Sequence, residues 1–188
     1  MGNLLPELFV RLHRAAYFAR GSFLSVLIRA GGGRVGRRLR VEGGVIFRQA
    51  PHAGYELGDD IFVGQCSCFD IDAGARFEMG SGVTLAKNVF ISAIAAVRLG
   101  DYVQVGENSS IRDADHGMVA DSGPICEQAM SGRPVDIGSD VWIGRGVAVL
   151  AGSMIGEGSV IGANSVVRGR LGARCIAVGA PAVAIRQR

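Results

Sequence analysis

The most constraining feature of this chain is a six-residue period. Near the C-terminal end, Ile137-Gly138, Ile143-Gly144, Val149, Ile155-Gly156 and Ile161-Gly162 recur six residues apart, with Val167 next in line. Four positions after each of the first five stand Val141, Val147, Ser153, Ser159 and Ser165, all small or β-branched. The frame also fits Leu57-Gly58 with Ile61, Val63-Gly64 with Ser67, Met79-Gly80 with Val83, and Leu85 with Val89. It fits again at Ile91 with Ala95, Leu99-Gly100 with Val103 and Val105-Gly106 with Ser109, and Val35-Gly36 and Val41 begin the series. Its phase slips by about two residues near 64–79 and again near 97, as short corner insertions would cause.

Six is neither the 3.6 of an amphipathic helix nor the 2 of a flat strand. It accommodates one short strand and one turn. The aliphatic residue points into a narrow prism and stacks on its counterparts in neighbouring coils. The glycine after it tolerates the turn, and the small residue fits the crowded corner. Three such faces close a coil of about eighteen residues, and successive coils pair in parallel about 4.8 Å apart. A β-sandwich with coincidental spacing is the rival reading, and twelve matches between 57 and 166 weigh against it. With 29 Gly in 188 residues and 6% aromatics, composition could equally describe a linker; the regular placing of Gly beside aliphatic residues favours a turn-dense fold.

After Ile111 the frame stops, and it resumes at Ile137. Residues 112–134 therefore leave the prism, opening with the polar cluster Arg112-Asp113-Ala114-Asp115-His116. Long excursions from a compact repeat carry function or are disordered, and the polar opening favours function.

Residues 4–29 read as helix, because Leu5, Leu8, Leu12, Ala16, Ala19, Phe23 and Leu27 recur every three or four residues. Gly21-Ser22 is a candidate break. Residues 1–48 hold nine Arg against Glu7 and Glu42, whereas the remainder is mildly acidic. Two readings of this segment stand: a cap on the end of the column, which a solenoid requires, or a basic amphipathic anchor on an anionic membrane face. The expected division is thus a helical segment over 1–33 and the β-column over 34–188.

These residues resemble the hexapeptide-repeat acyltransferases, the left-handed parallel β-helix superfamily. The likeness is closest to sugar O-acetyltransferases of surface-polysaccharide biosynthesis and to the maltose and galactoside acetyltransferases. It covers roughly 57–186. The most specific stretches are Pro134-Val135-Asp136-Ile137-Gly138-Ser139-Asp140-Val141-Trp142-Ile143-Gly144, Ile161-Gly162-Ala163-Asn164-Ser165-Val166-Val167 and Val178-Gly179-Ala180-Pro181-Ala182. The left-handed sense of the coil comes from this resemblance, since ordinary parallel crossovers are right-handed. The resemblance also implies a homotrimer with active sites between subunits, acetyl-CoA as donor, and a hydroxyl or amine acceptor.

The site residues follow in the same terms. Acyl transfer to a sugar hydroxyl requires a base, and imidazole is suited to it. His116 opens the excursion and matches the family's catalytic histidine. Asp113 and Asp115 flank it, and either could hold its tautomer. The turn Gly144-Arg145 is implied as a backbone donor to the developing oxyanion. Trp142 stands near the active centre in relatives. Coenzyme A is expected along the coil groove, its pantetheine amides pairing with backbone at Gly162-Ala163 and its phosphates meeting Arg168 and Arg186. The chain departs from relatives at Arg168-Gly169-Arg170, where Thr with Lys or Arg is usual. Asn88 matches a position that hydrogen-bonds the acceptor sugar, and equally suits a coil-corner turn.

Other chemistries are poorly served. One His between 57 and 188 cannot supply the three-histidine zinc site of a related hexapeptide fold, and the four Cys form no zinc-ligand spacing. They read as small packing residues in a reducing compartment. Glu7, Arg11 and Arg14 interrupt the first apolar run, which is not a signal-peptide layout. The expected location is the cytoplasm, or its membrane face if the helix is an anchor. No metal and no nucleic-acid partner are expected. The rival to an enzyme is a non-catalytic hexapeptide scaffold, which would have no need of the Asp113–His116 cluster or Trp142.

Overall fold

A computed structural model describes residues 4–188; residues 1–3 of the expected 1–33 segment lie outside it. One helix, α1 (Leu4–Ala30), leads into a β-solenoid of about six turns. Three sheets of seven, eight and six strands, parallel but for the closing strand Val183–Gln187, form its three faces. Strand by strand, the chain visits the first, second and third face and then returns to the first.

The period is strict on two of the three corners. From the first face to the second, inward residues step by six: Leu57 to Val63, Met79 to Leu85, Ile137 to Ile143. From the second to the third the step is again six, as at Leu85 to Ile91 and Ile143 to Val149. Both corners use left-handed backbone at fixed places. Arg38, Asp60, Gly82, Tyr102, Asp140, Gly158 and Arg174 form one column of positive φ, and Gly44, Cys66, Asn88, Asn108, Gly146 and Asn164 the other. The two columns include Asp, Asn and Gly, the residues that tolerate this region best.

The third corner is where the length varies, and this corrects the uniform coil of about eighteen residues. Arg34 lies opposite Glu56 and Tyr55 opposite Phe77, steps of 22. Arg76 lies opposite Ala96, a step of 20; Asp136 opposite Met154, 18; and Met154 opposite Arg170, 16. Both phase slips in the sequence fall at this corner. The longer coils enclose more space, and aromatic rings fill it. Phe47 stacks on Phe69 at 5.0 Å, and Tyr55 and Phe69 contact Phe77 at 5.5 and 5.6 Å. The shorter terminal coils are filled by Ile155, Ile161, Val167 and Ala177. The column tapers.

Buried serines take up backbone groups at the second corner. Ser109 Oγ donates to Gly144 O at 3.0 Å and accepts from Val147 N at 3.1 Å, joining two coils. Ser67 does the same with Ala86 O and Val89 N. A buried amide or carbonyl without a partner costs about 1–3 kcal/mol, so the small residue there has a chemical as well as a steric role. Of the four cysteines, Cys175 is buried, whereas Cys66 and Cys126 are exposed. The packing expectation therefore fails for the latter two, Cys66 because it occupies a corner turn.

α1 is unbroken at the candidate break Gly21-Ser22. Gly21 is instead its point of closest approach to the column: a Cβ there would lie 1.8 Å from Leu39 O. Leu24 (7% exposed) and Ile28 (0%) join the core with Val35, Leu39 and Val41 of the first coil. The face that packs is thus Gly21, Leu24, Ser25 and Ile28. The stripe read from the sequence faces solvent, with Leu5 79% and Phe23 66% exposed. The C-terminal end closes differently, as Cys175–Val178 pairs antiparallel with Val183–Gln187 on the second face.

Candidate active site

The excursion leaves and re-enters at the third corner. Strand Ala114–Asp115 pairs antiparallel with Ser131–Gly132, forming a stem. Asp113, at its foot, is 0% exposed. Its carboxylate accepts three backbone N–H groups, from Ile94 (2.9 Å), Ala95 (2.8 Å) and Ala96 (2.7 Å), at the corner one coil earlier. Its carbonyl accepts from Arg133 N at 2.7 Å. Asp113 thus clamps the base of the loop, and backbone donors engage both of its oxygens. Asp115 pairs with Arg133 across the stem at 2.7 Å. Within the loop, the Gln128 side chain bonds Val119 N, Val119 O and Gly123 O.

His116 follows the stem and is exposed. Among the described residues no hydrogen bond joins it to Asp113 or Asp115. Nor does any contact of that kind join it to the other expected site residues, which stand on other parts of the column. Trp142 (57% exposed) points outward from the second face. It lines a cleft of about 360 Å³ with Tyr102, Gln104, Val160, Asp140 and Arg188. Arg188 pairs with Asp140 at 2.7 Å, from 48 residues away. The period could not reveal that wall, because the closing hairpin lies outside the repeat; Tyr102 was legible only as a residue one coil before Trp142's own turn.

Gly144, Arg145, Gly162 and Ala163 lie at the second corner, and so does Asn88. The structure divides the first four by role. The N–H groups of Gly144 and Gly162 are committed to the ladder, donating to Ile161 O and Ala177 O at 2.8 Å each. Those of Arg145 and Ala163 have no protein acceptor among the described residues, and both residues are exposed. The open donors are therefore the residues after the glycines. The glycines keep access: a Cβ on Gly144 would lie 2.8 Å from Ala163 N, and one on Gly106 2.6 Å from Arg145 N. Lys87 and Glu107, lower on the same corner, also have unpaired N–H groups among the described residues.

The first corner is built in the opposite way. There Asp59 Oδ1 accepts from Arg37 N (2.7 Å), Ser81 Oγ from Asp59 N (3.1 Å), Asp101 Oδ1 from Ser81 N (2.7 Å) and Ser139 Oγ from Asp101 N (3.1 Å). Each of these four coils caps the one before it, whereas above them the N–H groups of Ser139 and Glu157 have no acceptor among the described residues. At the second corner the equivalent places hold Arg145 and Ala163, which have no side-chain acceptor.

Asn88 stands in the second left-handed column at φ 58, its amide donating to Asn108 Oδ1 at 3.1 Å. Arg168 and Arg186 are exposed near the narrow end. Arg145 makes an exposed pair with Glu107 at 3.4 Å. Among the described residues no group of three His, Cys, Asp or Glu side chains converges as metal ligands would.

Residues 134–169 match the bacterial transferase hexapeptide family (six repeats). The matched stretch lies in the upper coils of the column. No curated protein matches the chain by sequence. Among solved structures, the hexapeptide-repeat acetyltransferase VCA0836 of Vibrio cholerae O1 biovar eltor, complexed with acetyl coenzyme A, is 29% identical. It aligns over 70% of this chain and 69% of its own, with a TM-score of 0.62. AntD, an N-acyltransferase from Bacillus cereus in complex with dTDP and 3-hydroxybutyryl-CoA, is 17% identical over 85% of this chain and 86% of its own (TM-score 0.71). A galactoside acetyltransferase in complex with coenzyme A is 23% identical over 92% and 81% (TM-score 0.61). The last two bear on the fold alone. The hexapeptide-repeat column is thus a shared architecture, and the excursion and the open corner are the features of this chain that a chemistry would use.

Proposed function

We propose that this hexapeptide-repeat protein transfers an acetyl group from acetyl-CoA to a hydroxyl of a saccharide, nucleotide- or lipid-linked, in polysaccharide biosynthesis. The observation that carries the reading is the row of unpaired N–H groups at Lys87, Glu107, Arg145 and Ala163, which continues through coils where the twin corner is capped at Asp59, Ser81 and Asp101. An extended chain of amides such as pantetheine is the kind of ligand such a row receives. Support comes from the acetyl-CoA complex of VCA0836. Arg168 and Arg186 would meet the phosphates, Trp142 and its cleft would flank the groove, and Asn88 would contact the acceptor.

His116 is the base. The acceptor oxygen attacks the thioester carbonyl carbon while imidazole takes the hydroxyl proton. The carbonyl oxygen becomes an oxyanion, for which the Arg145 N–H is a donor. The C–S bond then breaks, and the imidazolium returns its proton to the thiolate, which leaves as free CoA. His116 hangs from the third corner and the donors lie on the second, with the third face between them. A homotrimer setting one protomer's loop against a neighbour's groove would complete the site.

The test is thiol release from acetyl-CoA with a panel of hydroxyl and amino sugars, free and nucleotide-linked. His116→Ala should lower kcat at least about a hundredfold, the low end for a general base, and leave CoA affinity unchanged. Wild-type turnover by that variant would overturn the mechanism. Transfer to amino sugars alone would overturn the hydroxyl acceptor. Absence of turnover by the wild type with every acceptor would favour the scaffold reading.

A further inference from the structure

The helix α1 has two working faces and the column uses one. At 27 residues it is about 40 Å long. Gly21, Leu24, Ser25 and Ile28 meet the first coil. On the opposite side, at helical spacing, Leu5, Leu8, Leu12, Phe23 and Leu27 form an exposed stripe, with Ala16 and Ala19 between. At 100° per residue, Arg11 and Arg29 border one edge of this stripe and Arg20 the other. A stripe of this length, made of large apolar side chains, does not stay in water without a partner.

The charge on the helix identifies that partner. In the column, Arg34, Arg37, Arg38 and Arg48 each face a carboxylate of the next coil: Glu56, Asp59, Asp60 and Asp70. On α1, Arg11, Arg14 and Arg20 form no ion pair among the described residues, and Arg29 donates to Val35 O at 2.9 Å. Glu7 is the one acid in Leu4–Ala30. A second copy docking stripe to stripe would set Arg11, Arg20 and Arg29 against their three counterparts with no acid between them, since Glu7 lies on the side of Ser25. An anionic lipid surface instead takes the apolar stripe into its acyl boundary while the guanidinium groups reach the phosphates. No helix among the described residues is long and apolar enough to cross a membrane.

We infer that α1 is an interfacial anchor that lies flat on an anionic bilayer by its outward stripe while its inward face caps the column. The same helix closes the solenoid and attaches it, by residues that do not overlap. This surface is independent of the acyl-transfer reading and is tested without it.

The experiment is flotation of the full chain with vesicles of phosphatidylcholine alone and with about a third phosphatidylglycerol, at low and high salt. The wild type should float with the anionic vesicles, bind the neutral ones at least about tenfold more weakly, and dissociate as salt is raised. Leu8→Asp with Leu12→Asp should abolish flotation with the melting temperature of the column unchanged, because both side chains are exposed. Arg11→Gln with Arg20→Gln should weaken binding about thirtyfold; it retains good helix formers, so it decides the matter if the aspartate variant loses helix. Equal flotation with both vesicle types would overturn the inference, and so would no flotation with either. So would an aspartate variant that still floats, or one that sediments as a smaller species than a non-floating wild type, which would mean that a second copy covers the stripe.

Discussion

The first and second corners of the column share their geometry and differ in chemistry. Both step by six residues, and both hold a column of left-handed backbone. On the first corner, Asp59, Ser81, Asp101 and Ser139 each accept the N–H of the coil before. On the second, Gln65 N is capped, and in the opposite sense, donating to Glu42 of the coil before at 2.8 Å. Beyond it the donors of Lys87, Glu107, Arg145 and Ala163 are open, whereas the first corner opens at Ser139 and Glu157. Closing these turns does not require a cap, since the fold makes both kinds equally well. A corner without caps is a row of hydrogen-bond donors with nothing of its own to bind.

The capping rule is most concentrated at the third corner, so the largest effect is expected there. Asp113→Ala would strip acceptors from three N–H groups around a side chain that is 0% exposed. At about 1–3 kcal/mol for each buried donor, stability should fall by about 3 kcal/mol or more in denaturant melts. Loss of catalysis with stability unchanged would instead place Asp113 in the chemistry.

Ala163→Asp would turn the second corner into a copy of the first, setting a carboxylate where it can accept from Arg145 N. Affinity for CoA should fall at least about tenfold, or 1.4 kcal/mol, by calorimetry, with the melting temperature held or raised. Undiminished CoA affinity would separate the open corner from ligand binding. The reverse change, Asp101→Ala, uncaps Ser81 N on the first corner. It should cost about 1 kcal/mol and leave CoA affinity alone, which a melt and a titration of one sample would check.

The smallest effect concerns acid. The Asp59 carboxyl is held below the usual carboxylate range, first by the Arg37 backbone N–H and then by its guanidinium. Asp60 is held low by its hydrogen bond from Arg38. Because the folded values lie below the unfolded ones, the stabilisation is complete above about pH 4. It is lost as pH falls through the lower folded values. Urea midpoints should therefore fall in that acid range, and less so in Asp59→Asn. Both carboxylates are exposed, so the change should be slight and reduced by salt.

Much of the column was legible because the inward residue of each strand must be apolar: Ile137, Ile143, Val149, Ile155 and Ile161 are buried as their spacing required. Coil length was less legible, since the third corner has no fixed spacing and the aromatic rings that fill the wide coils carry no period. The helix was read correctly as a helix, but its apolar stripe is not the face that meets the column. Apolar periodicity marks a stripe without naming its partner, and here the column takes the small residue Gly21 with Leu24 and Ile28. At the site, the polar cluster before His116 marked the excursion, but the residues alone left open whether Asp113, Asp115 or neither holds the imidazole, and the Asp113 carboxylate is taken up by backbone donors. Which amides at Gly144-Arg145 and Gly162-Ala163 stay open depends on the neighbouring coil, which no single motif contains.

The variable third edge has a consequence of its own. Because two edges of the prism are fixed in metre, any gain or loss of residues there would turn every later side chain out of phase. The third edge absorbs such changes, from two spare residues to a whole stem and loop, and returns the strand to register on the next rung. New parts can be grafted onto this molecule along a single seam, and the part that carries His116 is attached along it.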